Sequence, residues 1–159
     1  MKKLFTAIRA SDFEMVRQII EKKPELVNCV AKQPPKKDDG QSPLQVALKT
    51  GNTAIANYLL DMVADVKALD SYGNSGLNRF ALQAKQILPS YNYVEHREGK
   101  DRIFTEELHE DLRGVLQALK DAGADDSYKA PNLGYSVREF CSEGSISILF
   151  DEVFGIDGC

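Results

Sequence analysis

The strongest constraint on this chain is a recurrence. Gly40-Gln41-Ser42-Pro43-Leu44-Gln45-Val46-Ala47-Leu48 is followed by Gly51 and then by Ile55, Leu59 and Leu60. A degraded copy stands 33 residues later as Gly73-Asn74-Ser75-Gly76-Leu77-Asn78-Arg79-Phe80-Ala81-Leu82. A fixed period of this size marks a stack of small supersecondary units, each unable to bury its apolar face alone. The first copy spells out its own local structure. Gly40 suits a turn that needs positive φ. Ser42-Pro43 opens a helix, because the hydroxyl accepts from a free N–H and proline at the first position forfeits no hydrogen bond. Leu44, Ala47 and Leu48 form one apolar stripe, and small Ala47 allows close approach of a neighbour. Gly51 ends the helix. Asn52 or Thr53 starts the next, whose buried positions are Ile55, Ala56, Leu59 and Leu60.

Turn, inner helix, outer helix and return loop in this order resemble the ankyrin repeat, most closely over residues 38–68. The resemblance implies an all-α ankyrin-repeat solenoid of about four helix-turn-helix units with short hairpin-like turns, although other α-helical solenoids share the helix pairing. One domain spans 1–159, with repeats near 1–37, 38–69, 70–127 and 128–159. Gln45 replaces the histidine of the family's Thr-Pro-Leu-His motif. Val63 stands where the family's Gly-Ala-Asp exit has glycine, so an altered turn is expected there. The first unit, Leu4 to Asp12 and Phe13 to Glu21, lacks the turn motif and reads as an N-terminal cap made polar by Lys2, Lys3 and Arg9. The third unit opens at Asp70-Ser71-Tyr72-Gly73, with an inner helix from about Ser75 to Ile87. Its outer helix, Glu106 to Lys120, carries Leu108, Leu112, Val115, Leu116 and Leu119 on one face, before an intact Gly123-Ala124-Asp125 exit. That unit is about 27 residues too long for the period, which puts an insertion near 86–105. The fourth unit is worn: Val137 replaces proline, with helices expected at Arg138–Glu143 and Ser145–Val153.

Charge narrows the function classes. The net charge is −4, too acidic for broad affinity to nucleic acid. It is unevenly spread: residues 1–38 hold nine basic and five acidic side chains, and the rest hold eleven and nineteen. Cys29, Cys141 and Cys159 are odd in number and form no metal-ligand spacing, so they read as free thiols in a reducing compartment. Cys141 falls in a partly apolar helical pattern and suits a small core position. No targeting segment or membrane-length apolar run is visible, which makes a cytoplasmic protein the expectation.

Candidate chemistry is sparse. Glu106-x-x-His109 sets a carboxylate and an imidazole on one helical face, but paired copies of that spacing are needed for a carboxylate-bridged metal site. Asp38, Asp39, Asp121, Asp125 and Asp126 fall at turn ends, where their side chains bond the local backbone. No nucleophile constellation and no phosphate-cradling glycine loop is present. The reading is therefore no enzyme, no cofactor and no metal. Lys32-Gln33-Pro34-Pro35-Lys36-Lys37 is a stiff basic loop, solvated or aimed at an acidic partner. The insertion carries Tyr91, Tyr93, His96 and Phe104, aromatic anchors for an interface or a satellite core.

By resemblance, the chain looks like a small bacterial-type ankyrin-repeat scaffold, monomeric, that binds a protein partner through its turn tips and inner helices. The positions this implies are Asp39, Gln41, Gln45 and Lys49 in the second repeat and Tyr72, Asn74, Asn78 and Arg79 in the third. Tyr91 and Tyr93 of the insertion join them. A narrower alternative is an immunity-type or inhibitor protein that blocks one enzyme or toxin with the insertion. A metal-binding enzyme centred on Glu106 and His109 is the third, remotest reading.

Overall fold

A computed structural model describes residues 2–31 and 40–155 of the protein. Eight helices follow in chain order among them: α1 (Lys2–Arg9), α2 (Phe13–Lys22), α3 (Pro43–Lys49), α4 (Thr53–Asp61), α5 (Gly76–Ile87), α6 (Glu106–Asp121), α7 (Val137–Phe140) and α8 (Ser145–Phe154). A 3-10 helix, Pro24–Asn28, follows α2. Two short antiparallel strands, β1 (Tyr91–Asn92) and β2 (Arg97–Glu98), form a hairpin between α5 and α6.

The helices sort into two rows. In the inner row α1 packs on α3, α3 on α5 and α5 on α7. In the outer row α2 packs on α4, α4 on α6 and α6 on α8. Position in the row explains composition. Helix α3 lies between α1 and α5 with α4 behind it, so Leu44, Val46, Ala47 and Leu48 are all buried. Outer α6 has one covered side only: Leu112, Val115, Leu116 and Leu119 are buried, while Glu106, Glu107 and Glu110 face water. The apolar core is one continuous cluster from Leu4 to Val153.

Three inner helices open with the same device. Ser42, Ser75 and Ser136 each accept from the backbone N–H three residues on, and the side chain there reaches back to the serine's own N–H. The returning side chains are Gln45, Asn78 and Glu139. Each box satisfies two of the donors that a helix start leaves free.

Two expectations need correction. The Val63 turn is not remodelled. Val63 takes the glycine conformation, at φ +65°, and its side chain stays 79% exposed. The equivalent Gly123 sits at φ +100°. A β-branched residue in this region is strained. Val63→Gly should therefore raise stability by about 1 kcal/mol, the relieved strain outweighing glycine's added chain entropy. Its thermal midpoint should rise by about 3 °C, and an unchanged or lower midpoint would remove the strain argument. The second correction concerns the helix expected over 138–143, which is Val137–Phe140. Cys141 leaves helical dihedrals at φ −108°, ψ 46°, and Gly144 turns the chain at φ +80° into α8. The Cys141 side chain points into the core, where burial pushes its thiol up to about 12. Such a thiol is unreactive near neutrality. Cys159 lies outside the described residues.

Candidate functional site

The residues singled out from the repeat pattern divide by burial. Gln41, Gln45, Asn74 and Asn78 are buried. The Gln45 Nε2 donates to the carbonyls of Ala68 (3.0 Å) and Asn74 (2.9 Å), while its Oε1 accepts from the Ser42 N–H (2.8 Å). In this way it fastens α3 to the next turn. The Asn78 Oδ1 accepts from both the N–H and the hydroxyl of Ser75, each at 2.9 Å. Asn74 donates its N–H to Asp70, and the Gln41 carbonyl accepts from Ala31. The Gln45 and Asn78 side chains serve the interior, whereas Gln41 Oε1 and Asn74 Oδ1 are buried with no hydrogen-bond partner among the described residues. The signal in the sequence was the serine three residues before Gln45 and Asn78, which marks a capping box.

The remaining positions reach the surface. Tyr72, at the turn before α5, is 65% exposed. Arg79 is half-buried on α5 and ion-paired to Asp70. Lys49, at the end of α3, is half-buried too. Burial first, then the neighbouring Arg79 and Arg9 charges, lower its pKa, against an opposing effect of Asp70. Asp39 and the basic loop 32–37 lie outside the described residues.

The hairpin forms the second surface. Its neck is closed by Asp101, whose carboxylate accepts from the N–H and hydroxyl of Ser90, and by the Gly99 N–H on the Ser90 carbonyl (2.7 Å). These bonds hold the Asp101 carboxyl below its ordinary value. Asn92 shapes the tip by accepting from the N–H groups of Val94 and Glu95. The tip presents Tyr93, 61% exposed, and Val94, 89% exposed. Tyr91 is half-buried, with its ring edge-on to that of Tyr93 at 5.0 Å. Val94 was missed from sequence because one aliphatic residue between polar neighbours carries no periodic signal.

Glu98 fixes this hairpin on the body. Helix α8 starts at Gly144, which has no side chain to cap it. The Glu98 carboxylate supplies the cap from 47 residues away, accepting from the Ser145 N–H (2.5 Å) and hydroxyl (2.7 Å). A carboxylate is well matched to the positive end of a helix. Beside this joint opens a cleft of about 230 Å³, lined by Lys85, Leu88, Pro89, Ser90, Tyr91, Tyr93, Glu98, Glu143 and Ile146.

The Glu106–His109 pair does not converge. His109 stacks on Phe104 (5.3 Å between ring centres), and its Nε2 lies 3.1 Å from Glu152. Among the described residues, no group of three or more His, Cys, Asp or Glu side chains is arranged to hold a metal ion. No helix among them is long and apolar enough to cross a membrane.

Comparison with known proteins bears on the α3–α4 unit. Residues 39–71 match the family model described as Ankyrin repeat. No match to a curated protein is found. Ankyrin repeats generally mediate protein–protein interaction and are generally non-catalytic. The matched segment takes in the turn at Gly40, α3, α4 and the start of the next turn, so this unit of the chain is similar to an ankyrin repeat.

Proposed function

We propose that the protein is a non-catalytic scaffold: one domain of four stacked units that grips a protein partner with its turn tips, inner-helix surface and hairpin. The observation that carries this is the pair of exposed aromatic prominences, Tyr72 at the turn and Tyr93 with Val94 at the hairpin tip, the two most exposed tyrosines among the described residues. Aromatic side chains held rigidly above a surface are typical interface anchors, and a few of them supply most of the binding energy. The continuity of the core from Leu4 to Val153 supports the single-domain reading.

The test begins with capture of a partner from the native cell by the wild-type protein. Tyr72→Asp and Tyr93→Asp, both at exposed positions, should each weaken that complex by about tenfold or more while circular dichroism stays unchanged. Unaltered affinity in the double variant would sink the proposal. Reversal at Gln45 or Asn78 is a poor test, because both are buried and the domain itself would suffer.

A second reading, an inhibitor or immunity-type protein with one target, draws support from the hairpin being fixed in place by Glu98. A pre-ordered element favours tight binding to one shape. Under this reading Tyr93→Asp removes nearly all binding, whereas under the scaffold reading Tyr72→Asp matters comparably.

A further inference from the structure

We propose that the cleft between the hairpin and the start of α8 is a receptor for one cationic side chain, arginine or lysine, of the polypeptide partner. The proposal rests on the protein-binding reading above and names what its second surface recognises.

Three features of the cleft lead to a cation. The first is aromatic. Tyr91 and Tyr93 stand edge to face at 5.0 Å and 74°, so the wall offers an aromatic face as well as an edge. The electron-rich face of such a ring attracts an ammonium or guanidinium group. The second is anionic. Glu98 and Glu143 both line the cleft. Glu98 is committed to Ser145, whereas Glu143 is exposed at the mouth beside the Tyr91 hydroxyl. Burial first, and then this carboxylate, raises the Tyr91 pKa. The third is the state of the cations already there. Lys85 lies over the Phe140 ring at 4.1 Å and donates to the Phe140 carbonyl at 2.9 Å. Arg97, at the outer rim, is paired with Glu95 at 2.9 Å. Each resident cation is thus engaged away from Glu143.

The size fits as well. About 230 Å³ is too small for a folded element and ample for the end of one long side chain. Leu88, Pro89 and Ile146 supply apolar wall against which the methylene stem of an arginine or lysine can lie. The exposed Ile148 lines an adjoining hollow that shares Tyr91, Glu98 and Glu143 with the cleft, and adds apolar surface for backbone next to the inserted residue. Charge over residues 39–159, which include the cleft, points the same way, with nineteen acidic against eleven basic side chains.

The experiment titrates the intact protein with three short blocked peptides, acetyl-Gly-Arg-Gly-amide, its lysine counterpart and its citrulline counterpart, following the tyrosine ring resonances by NMR. Citrulline has nearly the shape of arginine and no charge. The expected result is saturable shifts at Tyr91 and Tyr93 with the arginine or lysine peptide, at least about fivefold weaker with citrulline. Tyr93→Leu and Glu143→Gln, both at exposed positions that leave folding intact, should each weaken the cationic peptide by about threefold to tenfold. The idea is overturned by no saturable shift, by equal response to citrulline, or by affinity untouched in both variants. That failure is separable from failure of the scaffold reading, which is judged by the double variant Tyr72→Asp with Tyr93→Asp against the captured partner and does not involve the peptides.

Discussion

Gly40→Ala is expected to cost about 2 to 4 kcal/mol and to lower the thermal midpoint by about 10 °C. Two independent effects add. Gly40 sits at φ +77°, a conformation that side-chain-bearing residues adopt only under strain. An added Cβ would also stand 2.6 Å from the Ser71 backbone nitrogen, with the Ser71 hydroxyl nearer still. Backbone cannot step aside without moving the turn that precedes α5. Gly134 separates the two effects. It has nearly the same dihedral, φ +76°, but nothing lies within 4 Å of its Cβ position. Gly134→Ala should therefore lose only about 1 kcal/mol. Denaturant titration of both variants measures the contrast. Equal losses would mean that Gly40 is required for its dihedral alone and that the turns are not in tight contact.

Asp70→Ala should be at least as damaging, with a loss of about 3 to 5 kcal/mol. The Asp70 side chain is 0% exposed and its partner Arg79 16%. One carboxylate oxygen accepts from the N–H groups of Tyr72 (2.9 Å) and Asn74 (3.0 Å), which ties the turn. The other accepts from the Arg79 guanidinium, Nε at 3.1 Å, which ties the turn to α5. Truncation leaves a buried cation without its counter-charge and two amides without an acceptor. Asp70→Asn, which retains the oxygen that serves the amides, should lose less. A double variant, Asp70→Ala with Arg79→Met, should recover part of the loss because it removes the stranded charge. If the double variant is simply the sum of the singles, the ion pair contributes nothing specific.

Legibility from sequence followed period. Where the chain keeps the repeat, as at Ser42-Pro43 and Leu44 to Leu48, local signals and packing agree and the helix bounds were readable. The outer helix at 106–121 was readable for the same reason, since its leucines recur every three or four residues. Polar positions were harder. Gln45 and Asn78 look like surface residues in a list of types, yet their amides close capping boxes inside the stack. Polarity alone does not distinguish a side chain that faces water from one that satisfies buried backbone. Val63 failed differently: sequence reported a missing glycine correctly, but tertiary packing imposed the glycine conformation on valine. The hairpin was the least legible part. Its length was evident as a departure from the period, whereas the Glu98 cap on α8 joins positions 47 apart that no local pattern connects.

That remote cap bears on how such a protein can change over generations. Because Glu98 must arrive at Ser145, the hairpin's reach is fixed by a helix in a different unit. A one-residue insertion or deletion in β2 would bring Arg97 or Gly99 to the same spot, and either leaves the start of α8 bare. Length variation within β2, part of the usual freedom of a surface loop, is therefore closed. Side chains at 93–96, beyond the paired strands, can be exchanged while the anchor stays in register.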